Sequence, residues 1–501
     1  MARRDESTED AARRSSAQGM DVVLALDLGS TWLKGGLVDL DGKLLHLERV
    51  ASPLQGEGPL DAEDIWQATV GLLRRLCRQA GPAAAPLAVS ITGATRSHVF
   101  LDAQQRPFGP VMLWNDPAGS ELGERVSRAY GFTGDTPGFG AYHPLARILR
   151  VGQDRGAMPH RLVELKDWLN YRLTGRLATD AVAYGRIEPD ASSGLSVDDI
   201  LARLALPRTV IPPCAPPASI LGRTGDGGRA DASDKAGGVS LGLPSGIPVV
   251  VGSFDTWASC LGMGAMRDGG VYDISGTTQV LGAFSRAPRP VPRMVSMRWT
   301  DDLWQTGGPC QTGMGTLAWF ARAFLDSDDP AQTLAVARAS RARDVPLCLP
   351  YLAGERMPLW SSALSASFHG VKSHHLRADL AQALVEGLVL AHRLALDALQ
   401  VRNASTTLHM GGGGTRLPEW VQARADAFGM TVELGQAEEP ALVGAALAAA
   451  TALGSRPSLE AAQNVLKARS VCVTPRMSRT AYYDSRAKEF SMLLSRDPSL
   501  S

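Results

Sequence analysis

Asp255 stands where an apolar run (Val249 to Val251) stops at Gly252 and a helical pattern through Trp257, Leu261 and Met263 begins. One carboxylate at such a strand-to-helix handover can do two things. Aspartate is a preferred N-cap, taking free N–H groups of the first helical turn. The same carboxylate stays ionised beside the positive helix end and can accept a hydroxyl's hydrogen bond. The two roles are compatible. Three glycine-containing turns suggest what such a carboxylate would work beside. In "LDLGSTWLKGG" (26–36), Ser30 and Thr31 offer hydroxyls, Lys34 a cation, and Asp27 a carboxylate able to hold a divalent metal through water. In "YDISGTTQVLG" (272–282), Ser275, Gly276, Thr277 and Thr278 repeat the arrangement. Turns of this kind aim backbone N–H groups and hydroxyls at one point, which suits phosphate oxygens. The third, "LHMGGGGTRLPEW", places Gly411 to Gly414 between a strand and a helix, where bare backbone lets a phosphate or flat ligand approach. No GxxxxGK(S/T) occurs, so this is not a P-loop nucleotidase. No GxGxxG follows the first strand, which disfavours a Rossmann dehydrogenase.

The elements that must hold these turns are legible in outline. "DVVLALDLGSTWLKGGLVDLDGKLLHLERV" reads as three strands in a meander, broken at Gly29 and at Asp41-Gly42. Residues 61–79 carry Ile65, Val70, Leu73 and Leu76 near helical spacing, and "LAVSIT" (87–92) is a further strand. From 206 to 246 the chain turns proline-rich and then glycine- and aspartate-rich, which marks a junction. The second half restarts with a strand (247–252), a helix (255–265) and a strand-turn-strand. The two similar turns, each opening a half of comparable size, predict duplicated α/β domains facing each other over a cleft, a preferred place for ligands.

At 501 residues the chain exceeds what one core usually supports. With 45% hydrophobic and 20% charged residues and zero formal net charge, it lacks the basic surplus of a nucleic-acid binder. Six scattered cysteines form no CxxC pair, which argues against a metal site or disulfide framework and fits a reducing cytoplasm. Residues 1–20 have no apolar core; they read as a disordered polar tail rather than a signal peptide, with Met20 a plausible start. No apolar run approaches the roughly 20 residues of a membrane span. The expected division is a tail (1–20), an N-terminal domain (21–246), a C-terminal domain (247–490) and a tail (491–501).

Together these segments resemble the FGGY carbohydrate kinases. "LALDLGSTWLKGGLVDLDG" is similar to their first phosphate motif, and "VSITGATRSHVFLDAQQRPFGPVMLWND" to their sugar-loop segment. "ELKDWLNYRLTGRLATD", "PYLAGERMPLW", "ASFHGVKSHHLRADLAQALVEG" and "GGGGTRLPEW…EEPALVGAAL" follow in family order, from about residue 22 to 455. The resemblance implies two actin-like (ribonuclease-H-like) ATPase domains and an ATP- and magnesium-dependent sugar kinase of the cytoplasm, in a family where homodimers are common. It makes Asp255 the catalytic base toward the sugar hydroxyl, acting as an ordinary carboxylate without a raised pKa. It puts Asp27, Ser30, Thr31 and Lys34 by the phosphates and metal, Gly276 and Thr277 in a second phosphate turn, and Gly412, Gly413 and Gly414 along the adenosine. Gly313 would line the nucleotide. Trp114, Asn115 and Asp116 fall on a sugar-contacting motif. Glu355 with Arg356 reads as a structural ion pair, and Lys166 with Asp167 as helix-surface charges.

The departures cluster at the substrate end. Ala94-Thr95-Arg96-Ser97 stands where pentulose kinases of the family carry Gln-Met-His-Gly, which puts a permanent cation, Arg96, near the substrate beside Thr95. Ala118 replaces an arginine, and Phe254 beside Asp255 would narrow the sugar pocket if it points inward. The leading substrate is a ketopentose such as xylulose or ribulose, with other polyols and, because of Arg96, sugar acids as alternatives. Two other classes are an actin-like chaperone or regulatory ATPase, disfavoured by the sugar motifs, and an inactive sugar-binding regulator, disfavoured by Asp255.

Overall fold

The computed structural model describes residues 21–55, 58–80, 86–132, 142–189, 193–226, 243–403, 405–435 and 438–500. The expected N-terminal tail and most of the glycine-rich loop at 227–242 lie outside these residues. By packing, the chain forms two compact units, 1–262 with 441–465 and 263–440 with 466–501.

Unit 1 is built on a six-stranded sheet. The meander appears as β1 (Val22–Leu28), β2 (Trp32–Asp39) and β3 (Leu44–Ala51), followed by α1 (Ala62–Ala80) and β4 (Ala88–Gly93). After β4 come β5 (His98–Leu101), α2 (Pro144–Arg155), β6 (Arg161–Glu164) and α3 (Leu165–Thr174). Then β7 (Ile220–Arg223), β8 (Pro248–Val250) and α4 (Asp255–Gly262) complete it. The main sheet has the order β3-β2-β1-β4-β8-β7. The β3-β2-β1 pairings are antiparallel, whereas β1-β4 and β4-β8 are parallel. Every residue of β1 and β4 is buried, as expected of strands covered on both faces. On one face α1 buries Ile65, Trp66, Leu72, Leu73 and Leu76; each such side chain contributes about 1.5–3 kcal/mol. On the other, the helix Pro440–Ala452 returns late in the chain to bury Leu442, Ala445, Ala446 and Ala449 against Val23, Ala25 and Val250.

Unit 2 repeats the plan. Its hairpin β9 (Val271–Ser275) and β10 (Gln279–Ser285) is followed by β11 (Val295–Thr300), β12 (Leu303–Cys310) and α5 (Met314–Leu325). Next are α6 (Arg377–Ala398), β13 (Thr407–Gly411), α7 (Pro418–Phe428), β14 (Thr431–Leu434), β15 (Val471–Val473) and α8 (Met477–Leu494). The order is β11-β12-β10-β9-β13-β14-β15. Around β9 the pairings run antiparallel, antiparallel, parallel, parallel, as they do around β1. The two similar turns therefore occupy equivalent places, β1–β2 and β9–β10.

Two expected boundaries need correction. Residues 247–262 were assigned to the second domain, but β8 pairs with β4 and carries Asp255 into unit 1. The composition change at 206–246 does not mark the end of that unit: the stretch contains β7, a strand of its main sheet. At the C-terminus, 491–494 complete α8, with Phe490 and Leu494 buried, so the expected tail starts too early. Among the described residues no helix is long and apolar enough to cross a membrane.

Candidate active site

The parallel strands β1, β4 and β8 end side by side, and in open α/β sheets such carboxyl ends are where ligands bind. Past β8 the chain turns at Gly252, whose φ of 68° and closeness to the Ile91 carbonyl both require glycine. Side chains from elsewhere fix the next residues. Thr92 donates to the Ser253 carbonyl at 2.8 Å, and Ser253 Oγ to Asp180 Oδ1 at 2.9 Å. Asn170 Nδ2 donates to the Val251 carbonyl at 2.9 Å. Lys166 Nζ lies 2.5 Å from Asp167 and 2.9 Å from Asp180. Lys166 and Asp167 are thus buried, not the surface charges expected: α3 turns them toward β8. Burial raises the Asp167 carboxyl, aided by Asp180 and opposed by Lys166.

Asp255 is the first residue of α4. Its Oδ1 accepts the Thr256 N–H at 2.6 Å and the Thr256 hydroxyl at 3.2 Å. It is thus the first helical residue rather than the expected N-cap, a place taken by Phe254, whose carbonyl accepts the Ala258 N–H at 3.0 Å. The Thr95 backbone N–H helps to hold this carboxylate's pKa down. Contrary to the expectation of an ordinary acid, burial raises its pKa, although Thr256, Arg186 and Thr95 all oppose the rise. Phe254 is 5% exposed and does line a small pocket, with Gly93, Ala94, Glu164, Lys166 and Asp180. Its ring lies 4.4 Å below the guanidinium of Arg186, which also stands 3.4 Å from Glu164.

The other acceptor candidates occupy two stretches. Thr95 and Arg96 follow β4, with Arg96 at φ 59°. Trp114 and Asn115 form a turn before Asp116, whose Oδ1 accepts the Ala118 N–H at 2.9 Å. The first stretch reaches Asp255 through Thr95, and Arg147 on α2 reaches both stretches. Asp27, 7% exposed, ends β1 opposite Lys34, whose Nζ is 4.0 Å from its Oδ2. Ser30 and Thr31 form the turn between β1 and β2. A carboxylate oxygen is the ligand that a magnesium ion takes, usually one or two of them with waters and phosphates. Asp27 meets that requirement.

In unit 2 the nucleotide candidates converge on one turn. Gly276 and Thr277 join β9 to β10; their carbonyls accept the N–H groups of Met314 at 3.0 Å and Gly315 at 3.0 Å. Gly313, the residue before α5, therefore packs on this turn. A side chain on Gly412 would strike the Ser275 carbonyl, and one on Gly414 the Ser275 hydroxyl. Glycine at those positions serves the packing of the two loops, and Gly413 is the one with open space in front of it. Beneath runs a buried polar chain. Asp273 pairs with Arg424 at 2.7 Å, both fully buried, and Arg424 Nη2 lies 2.9 Å from His392 Nδ1. His392 Nε2 donates to the Thr312 carbonyl at 3.2 Å, and the Thr312 hydroxyl to Glu355 at 2.6 Å. Burial raises Asp273 to about 6 against the pull of Arg424, and also raises Glu355. The expected Glu355–Arg356 ion pair is replaced: Glu355 receives Thr312 and the N–H groups of Gln311 and Arg356, while Arg356 Nη2 donates to the Cys310 carbonyl at 3.0 Å.

Arg147, Arg186, Asp180, Arg424 and His392 were not anticipated. A charged residue inside the apolar run "PLARIL" is the signal that Arg147 is buried. Asp344, His374 and His375 cluster closely enough to hold a metal. However, His375 Nδ1 accepts the Lys372 N–H at 2.9 Å, so its proton sits on Nε2, and the Lys372 ammonium is 2.8 Å from Asp344. The His375 Nε2–H and the Lys372 ammonium both turn to Asp344.

Residues 22–262 match the N-terminal domain, and 271–453 the C-terminal domain, of the FGGY family of carbohydrate kinases. The chain is 26% identical to an Escherichia coli L-xylulose/3-keto-L-gulonate kinase over 94% of its length and 96% of the relative's. It is 27% identical to an E. coli xylulose kinase, covering 94% and 98% of the two chains. A ligand-bound xylulose kinase from Lactobacillus acidophilus superposes with a TM-score of 0.83 at 20% identity, over 95% of this chain and 98% of that one. The fold is the two-domain, actin-like arrangement that the turns and sheet orders imply.

Proposed function

Because this chain belongs to the FGGY family of carbohydrate kinases, we propose that it transfers the γ-phosphoryl group of ATP to a hydroxyl of a ketopentose such as xylulose or ribulose. Asp255 is the base. The observation that carries this reading is the half-buried Asp255 carboxylate, five residues past β8, whose Oδ1 accepts the Thr256 N–H. The acceptor oxygen bonds to phosphorus as the bond from phosphorus to the ADP oxygen breaks, and the hydroxyl proton passes to Asp255. Phosphoryl transfer rests mainly on positioning and charge neutralisation. Thr95, Arg96, Trp114, Asn115 and Asp116 orient the acceptor; Gly276, Thr277, Gly313 and Gly412 to Gly414 hold the nucleotide. Ser30, Thr31 and Lys34 meet the phosphates. Asp27 would hold a magnesium ion, which would supply charge neutralisation on the phosphates.

A sugar acid is the second reading. It is favoured by the cation at Arg96 and by the relative named for a keto-acid as well as a pentulose. Both readings are tested by measuring ADP formation from ATP with ketopentoses, polyols and sugar acids, for the native chain and Asp255→Ala. The expected result is turnover that depends on one sugar class and falls by about 10²–10⁴ on substitution. Sugar-independent turnover that survives the substitution would overturn the kinase reading.

A further inference from the structure

We propose that Arg147 is a positioning residue for the acceptor, clamping the 95–97 and 113–116 stretches in the one geometry that presents both to the sugar. The inference rests on the reading that these stretches bind the acceptor. Arg147 is fully buried on α2. Its Nη1 donates to the Arg96 carbonyl at 2.5 Å and lies 3.2 Å from His98 Nδ1. Its Nη2 donates to the carbonyls of Leu113 at 2.5 Å and Asp116 at 3.0 Å.

The placement has a structural logic. His98 and Met112 exchange both backbone hydrogen bonds, at 2.8 and 3.0 Å, as an antiparallel pair. Beyond that rung the next residues in both directions, 97 to 95 and 113 to 116, leave the ladder. The carbonyls of Arg96 and Leu113 turn instead to one guanidinium, whose planar fork can reach several acceptors at once. Burying a charge is costly even with Asp116 and Glu164 near enough to attract it, and an apolar side chain would serve a core better. What the charge accomplishes is to hold backbone. Arg96 has a φ of 59°, uncommon for a residue with a side chain, and its carbonyl is one that Arg147 grips. The backbone of the preceding residue, Thr95, helps hold the Asp255 pKa down. Arg147 therefore governs the direction of the Arg96 side chain, the placement of Asp116 and the approach of the Thr95 backbone to the base.

The test compares Arg147→Lys and Arg147→Met with the native chain in steady-state kinetics, with the shift in thermal midpoint on adding ADP as a check on the rest of the fold. The Met variant is expected to raise the KM for the sugar about 10–100-fold while the KM for ATP stays within about twofold. The Lys variant should fall between, since an ammonium keeps the charge but cannot fork. The ADP shift should be retained in both. If the Met variant does not fold, the Lys variant carries the test alone, with the same split between the two KM values. Equal changes in both KM values, or a lower thermal midpoint with native kinetics, would overturn the inference. Asn115→Ala and Asp116→Asn separate the two claims. If they raise the sugar KM and the Arg147 variants do not, only the clamp fails; if they leave it unchanged, the acceptor reading fails first.

Discussion

Asp255 is half-buried, and the desolvation of its carboxylate predicts a cost in stability. Burial puts its folded pKa above the unfolded value of about 3.9. Between those two pKa values the folded state binds more protons, so stability falls as pH rises through the window, and the penalty is fully present above the folded pKa. Asp255→Asn keeps an oxygen for Thr256 but removes the charge. It should abolish sugar-dependent turnover yet raise the thermal midpoint at pH 7, with the gain vanishing as the pH drops below the unfolded value. A midpoint lower than native at pH 7 would show that the carboxylate is stabilising there. Asp255 itself was legible because the strand-to-helix handover is a local pattern. Its raised pKa was not, because that depends on what packs around it, including Arg186 and Thr95 from distant positions.

At the scale of elements, buried charges hold loops against sheets. In unit 2, Arg424 on α7 joins Asp273 on β9, directly below the β9–β10 turn, and reaches His392 on α6. Removing one partner of such a pair leaves an uncompensated buried charge, which costs about 3–5 kcal/mol. Arg424→Leu should therefore lower unfolding stability by about that much in a denaturant titration and weaken nucleotide binding, because the turn loses its support. Adding Asp273→Asn should recover part of the loss. Native stability in the single variant would show that Asp273 is neutral in the fold. The helix of Arg424 was foreseen from "EWVQARADAFG", but not the partner, since 151 positions separate it from Asp273 and no local period records such a contact.

At the scale of the whole molecule, the proposed reading gives each unit a different part of the work. The sugar should slow hydrogen exchange within residues 88–98, 111–118 and 250–262 of unit 1. A non-hydrolysable ATP analogue should slow it within 271–282, 311–316 and 407–416 of unit 2, and at 27–34 through its phosphates. Protection by sugar confined to unit 2 would reassign the acceptor site.

The sequence alone determined what repeats and what is local: the two glycine turns, the strands around them and the carboxylate at a helix start. These follow from hydrogen-bond geometry and side-chain periodicity within a few residues. Only the tertiary structure decided which unit owns Asp255, because strand pairing between β8 and β4 is made across more than a hundred residues of chain. It also decided that Lys166, Asp167, Arg147 and Arg424 are buried. A charged side chain looks the same in sequence whether it faces water or is taken out of it, and only the groups that pack around it show which.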